Sequence, residues 1–137
     1  MRIFLDANII FSAAKSDGAV RELLSRLRVR GHHLCADGYV LAEARRNLAL
    51  KDAKAMTALE GLLLHLEVAP FQVTQLPPDA VDLLPDKDRP VLAAAIRLLC
   101  DALVTGDRTH FGSLYGKTIA GVTVHSPRSL AETVLQA

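Results

Sequence analysis

Aromatic side chains are scarce in this chain: no tryptophan, two tyrosines and four phenylalanines among 137 residues. A row of stacking platforms for single-stranded nucleic acid is therefore not evident. Cysteine is nearly absent as well, with only Cys35 and Cys100 and no CxxC pair. Isolated thiols of this kind are expected to be buried, apolar and reduced, as in a cytoplasmic protein. None of the five histidines forms an HxxxH pair, and His32-His33 after Gly31 reads as a loop entering a strand, so no zinc site is expected. No apolar stretch approaches the roughly 18 residues of a membrane helix. Asp6 interrupts the apolar start of the chain, which scans as a strand and not as a signal peptide. Net charge is +1, which alone calls for no polyanionic partner.

What is present favours a single domain over residues 1–137 with its own core, because half the residues are hydrophobic and 23% are charged. Charge is unevenly spread: ten Lys or Arg against six acids up to Lys54, and six against nine after it. Arg21, Arg26, Arg28 and Arg30 fall on one expected helix, and Arg45, Arg46, Lys51 and Lys54 on or beside the next. Either run is a solvated helix face or a basic rim for phosphates.

Apolar runs and helical spacings alternate along the chain. Strands are expected at 2–5, 33–36, 102–105 and 118–124, with an edge segment at 67–73 broken by Pro70. Helices are expected at 8–14, 19–29 (stopped by Gly31), from a cap at Asp37 to about 50, at 53–66, at 91–99 with Leu99 inward, and at 126–135 with Ser126 as cap and Pro127 first. Residues 75–90 read as a loop with one helical turn near 79–84, and 108–116 as a loop or short helix. Repeated strand-helix units imply a parallel sheet covered on both faces, an α/β/α sandwich of three layers.

Four acids stand where this pattern brings them to one sheet edge. Asp6 follows the apolar run Ile3-Phe4-Leu5, and Asp107 follows Ala102-Leu103-Val104 through Thr105 and Gly106. Both lie just past the C-terminal ends of buried parallel strands, where open α/β sheets bind ligands. Glu43 sits in the second turn of a helix, on a stripe with Val40, Ala44 and Asn47. Asp88 starts the helix before the last of these strands, with Asp86 as its rival. Each acid alone has an ordinary explanation as a cap, a turn residue or a solvated group. Together they would repel one another unless a cation held them, and oxygen donors suit Mg2+ or Mn2+. Asn8 is placed to orient Asp6, Thr105 to bring a hydroxyl to the same edge, and His110 to stand near a phosphate.

Asp6-Ala7-Asn8, Glu43 in its helix, Asp88-Arg89-Pro90-Val91-Leu92-Ala93-Ala94-Ala95-Ile96 and Val104-Thr105-Gly106-Asp107-Arg108-Thr109-His110-Phe111 together resemble a PIN domain over nearly the whole chain. The resemblance implies a Rossmann-like sandwich, an acidic pocket of Asp6, Glu43, Asp88 and Asp107 binding Mg2+ or Mn2+, and endoribonuclease activity leaving a 5′-phosphate and a 3′-hydroxyl. Many small bacterial and archaeal members are VapC-like toxins, commonly homodimeric and neutralised by an antitoxin protein. The stretch around Asn8 has alanine where the family often has threonine or serine, so hydroxyl support for Asp6 is expected to be missing. Two other readings compete with an RNA-cutting enzyme. One is a PIN-fold module that binds RNA or protein without cutting; the other is a phosphatase with Asp6 as nucleophile, in which Asn8 replaces the acid such a motif needs. No GxGxxG follows the first strand, which disfavours a dinucleotide-binding enzyme.

Overall fold

Strands β1 (Arg2–Leu5), β2 (His33–Asp37), β3 (Glu67–Ala69), β4 (Ala102–Val104), β5 (Thr118–Ile119) and β6 (Val122–His125) form one sheet in the order β3-β2-β1-β4-β6-β5. The structure is a computed structural model and describes residues 1–136. All neighbouring strands run parallel except β5, which pairs antiparallel with β6. Ile3, Phe4 and Leu5 of β1 and Ala102, Leu103 and Val104 of β4 are wholly buried. Unbroken apolar runs are what a parallel strand covered on both faces requires.

Among the described residues, seven α-helices cover the sheet in an α/β/α sandwich: α1 (Ala7–Lys15), α2 (Ala19–Val29), α3 (Gly38–Lys51), α4 (Met56–Leu63), α5 (Arg89–Arg97), α6 (Arg108–Phe111) and α7 (Pro127–Val134). Helix α1 packs against α2, α3 and α4, burying Ile9, Ile10, Ala13 and Ala14. On α5, five consecutive residues from Val91 to Ala95 are buried, and the three alanines among them permit close packing. Ser126 caps α7 in a reciprocal pair with Ser129, and Pro127 takes the first helical position. Cys35 and Cys100 are free and buried. No helix among the described residues is long and apolar enough to cross a membrane.

Three elements depart from the sequence expectation. The stretch 118–124 is a hairpin and not one strand: Ala120 and Gly121 both take positive φ, at 48° and 87°, as a tight primed turn between β5 and β6 demands. The expected helix at 53–66 opens as a 3-10 turn, Ala53–Ala55, and its helix ends at Leu63, with Leu64 84% exposed. Leu99 does not face inward. Helix α5 stops at Arg97, Leu99 has φ 56° and is 80% exposed, and its N–H donates to the Ile96 carbonyl while that of Cys100 donates to Ala95. This is a Schellman ending with leucine at the left-handed position; α2 ends the same way on Gly31, at φ 86°.

Candidate metal centre

Strands β1 and β4 are neighbours whose onward connections leave in opposite directions, β1 toward β2 and β4 toward β6. The crevice this opens at their C-terminal ends is where α/β sheets hold ligands. Asp6 stands there, 4% exposed, as the cap of α1. Its Oδ1 accepts from the Ala7 N–H at 2.7 Å, and its Oδ2 accepts from Thr105 Oγ1 at 2.7 Å and Asn8 Nδ2 at 3.2 Å. Thr105 therefore supplies the hydroxyl support expected to be missing, from a strand end 99 residues along the chain. Asn8 Oδ1 accepts from the Gly106 N–H at 2.8 Å, and Thr105 Oγ1 accepts from the Asp107 N–H at 3.1 Å. These bonds tie the end of β1 to the end of β4. Tyr115, which the sequence did not single out, adds a tie by donating its hydroxyl to the Thr105 carbonyl at 2.8 Å.

Asp107 caps α6, with Oδ1 accepting from the His110 N–H at 3.1 Å. The ring of His110 lies between two acids: Nδ1 is 2.9 Å from Asp88 Oδ2 and 3.0 Å from Asp107 Oδ2. The approach is close but not aligned, and both Asp88 Oδ2 and His110 Nδ1 are buried polar atoms without a hydrogen-bond partner. One donor atom each from Asp88, Asp107 and His110 lies within 4.8 Å of the others. Among the described residues these three make the cluster best arranged to share an ion. Asp88 stands at the cap position of α5 but makes no capping bond, leaving its carboxylate free to face this cluster. Asp86 is elsewhere: its carboxylate is 93% exposed and pairs with Arg89 at 2.6 Å.

Glu43 reaches the same neighbourhood half-buried on α3, whose start is fixed by Asp37 Oδ1 accepting from the Val40 N–H at 3.2 Å. Its charge is felt at Asp6. Burial pushes the Asp6 carboxyl up to about 6 against the donors Thr105 and Ala7, and Glu43 and Asp88 push it further the same way. The Asp88 carboxyl is also raised, first by burial and then by Asp107, with His110 opposing. Ionised together these acids are mutually unfavourable, and a cation among them relieves that repulsion.

Asp37 was legible in the sequence as the cap of α3, but its approach to Arg97 was not. The partly buried Arg97 guanidinium approaches the buried Asp37 carboxylate to 4.0 Å without a hydrogen bond, and donates to the Pro70 carbonyl at 3.1 Å. Burial raises the Asp37 carboxyl in spite of Val40 and Arg97. The two basic runs, read as solvated faces or a rim for phosphates, are divided. Arg21 turns back to the Ala13 and Ala14 carbonyls, closing the end of α1. Arg28 lines a cavity of about 590 Å³ with His33 and Glu67, which begin β2 and β3, at the opposite end of the strands from the acids. Arg46 lies beside Glu43.

The fold occurs in solved structures of low sequence identity. A chain of VapBC2 from Rickettsia felis, solved bound to a promoter DNA fragment, superimposes with a TM-score of 0.68 at 19% identity, over 92% of this chain and 98% of that one. A chain of DNA-bound VapBC from Salmonella typhimurium gives 0.67 at 17%, over 93% and 98%. VapC20 from Mycobacterium tuberculosis, described as a toxin cleaving the sarcin-ricin loop, gives 0.56 at 14%, over 81% and 94%. No curated protein sequence matches significantly. The family model of the PIN domain matches residues 2–109, spanning β1 to α6 and every acid of the crevice. The chain belongs to the PIN-domain family.

Proposed function

We propose that the chain is a Mg2+- or Mn2+-dependent endoribonuclease, acting as a single domain over residues 1–137. The observation that carries this reading is the unpartnered buried oxygen of Asp88, set against Asp107 and His110 in a crevice where Asp6 resists ionisation. Such an arrangement fits a small divalent cation. Carboxylate oxygens are the preferred donors of Mg2+ and Mn2+, and one imidazole is compatible with Mn2+. Asp88 and Asp107 would hold the ion directly, with Asp6 and Glu43 completing the negative pocket. When bound, the cation supplies positive charge against the phosphate oxygens and acidifies water at the scissile bond.

The chain's own residues do the rest. Thr105 and Asn8 fix the Asp6 carboxylate so that it presents one face, and the Asp107 cap of α6 sets that carboxylate against the His110 ring. His110, its Nδ1 turned to Asp88 and Asp107, would stand near the scissile phosphate. Burial of Asp6 and Thr105 keeps bulk water from that side, which strengthens every charge interaction at the phosphate. A phosphatase using Asp6 as nucleophile is disfavoured, since three donors already occupy its oxygens and Asn8 cannot act as an acid.

The likeness to VapBC chains supports a toxin role, with an antitoxin protein as partner, a homodimeric state and a cytoplasmic location as parts of the same proposal. Incubation of the purified protein with structured RNAs in Mg2+, Mn2+ or EDTA, beside Asp107→Asn, tests the activity. Cleavage that needs the metal and vanishes in the variant is expected. Intact RNA in every metal condition would leave an RNA- or protein-binding module instead.

A further inference from the structure

Few as they are, the aromatic rings are not all spent in the core. Phe4 and Phe111 are wholly buried, whereas Phe71 is 44% exposed and pairs with Tyr39 at 5.4 Å between ring centroids, tilted by 34°. Both rings are held from behind. A Cβ on Gly38 would stand 3.3 Å from the Phe71 nitrogen and 3.4 Å from its Cβ, so glycine lets the two segments close together. Arg97 holds the preceding Pro70 carbonyl, and the Tyr39 hydroxyl donates to the Lys87 carbonyl at 2.6 Å. The rings stand at the wall of a cavity of about 360 Å³, shared with Glu43 and with the exposed cations Arg46 and Lys87. Lys87 immediately precedes Asp88, and Glu43 acts on Asp6, so this cavity opens directly beside the carboxylates.

We propose that this cavity is a nucleotide subsite: one unpaired base of the RNA strand stacks on Phe71 and Tyr39, and Arg46 and Lys87 face the phosphates flanking it. The proposal rests on the ribonuclease reading above. A strand approaching four carboxylates is repelled, and two cations on the way in offset that repulsion where the phosphates must pass. An aromatic pair held by backbone contacts offers apolar ring surface, most of it on the 44% exposed Phe71, that loses little freedom when covered. Stacking on it accepts any base, because every base has a π face. The neighbouring phosphodiester is then delivered to Asp88 and Asp107.

The test uses the full chain carrying Asp107→Asn, in Mg2+, titrated against a labelled single-stranded RNA octamer. The same octamer is then made with one abasic nucleotide at each position in turn. One abasic position is expected to weaken binding about tenfold, the scale of a single stacked base. Adding Phe71→Ala should weaken binding of the intact octamer by about the same factor and abolish the abasic penalty; Phe71→Tyr should retain it. The alanine variant keeps the backbone and Cβ contacts with Gly38. Arg46→Ala and Lys87→Ala should each reduce the salt dependence by about 0.7 in the slope of log K against log salt. An abasic penalty that survives Phe71→Ala, or no penalty at any position, or no binding of either octamer, overturns the subsite. Cleavage by the unsubstituted chain is scored separately. Base discrimination without cleavage would remove the ribonuclease reading and keep the subsite; cleavage without discrimination would do the reverse.

Discussion

Asp6→Asn should make the metal-free protein more stable while abolishing its proposed activity. In the folded chain the Asp6 carboxyl is pushed up to about 6 from an ordinary value of 3.8. Folding thus favours its protonated form. The stability this provides is complete below pH 3.8, declines as pH rises, and is gone above about 6. A shift of this size corresponds to about 3 kcal/mol at neutral pH, at 1.36 kcal/mol for each unit. Asparagine avoids that penalty but presents an N–H2 group to Thr105 Oγ1, which already accepts from Asp107 and lies near Asn8 Nδ2. One hydrogen bond, about 1 kcal/mol, is then lost. A net gain of about 2 kcal/mol remains, or about 7 °C in Tm for a domain of this size. Thermal melts in EDTA from pH 4 to pH 8 measure it: the wild-type chain should lose stability relative to the variant across pH 4 to 6, and Mg2+ should restore the wild type alone. A variant that melts lower than the wild type at pH 7.5 in EDTA would refute the claim that burial, aided by Glu43 and Asp88, disfavours the ionised Asp6 carboxylate.

Arg97→Leu strands the buried Asp37 carboxylate and should cost about 3 kcal/mol by denaturant unfolding, whereas a loss under 1 kcal/mol would mean that solvent reaches the pair. Leu99→Gly relieves a left-handed backbone at an exposed side chain and should raise stability by about 1 kcal/mol, a gain that a denaturation midpoint will register. Phe111→Ala empties a wholly buried position under α6 and should cost about 4 kcal/mol, with RNA cleavage reduced because Asp107 and His110 belong to the same turn. Tyr115→Phe removes the tie to the Thr105 carbonyl and should lower Tm by about 3 °C, equivalent to one hydrogen bond, without changing which metal supports cleavage.

The sequence made the strand-end acids legible because β1 and β4 are unbroken apolar runs, and a polar residue at the end of such a run has few other places to be. Glu43 was legible from its helical stripe. Asn8 was recognisable as a residue able to orient Asp6, but the Thr105 bond to Asp6 was not, since a hydroxyl 99 residues away is brought close only by the pairing of β1 with β4. Asp88 was preferred to Asp86 only because it abuts the helix start; in the fold Asp86 pairs with Arg89 in solvent, whereas Asp88 faces Asp107 and His110. The hairpin at the sheet edge was read as one strand because an alanine occupies the first turn position, where Asn or Asp would have signalled the reversal. Tyr39 and Phe71 lie on different segments, so composition gave no sign of the ring pair that assembly creates.

Asp6 follows the first strand of the chain and Asp107 follows the fourth, and this governs when during synthesis the crevice can be assembled. A chain halted by a ribosome anywhere before residue 105 carries Asp6, Glu43 and Asp88 but lacks the hydroxyl that holds the first of them and the carboxylate that faces the third. Strand β6, the last neighbour of β4, is still later. The crevice is therefore assembled only once β4 and the turn after it have emerged and paired with β1.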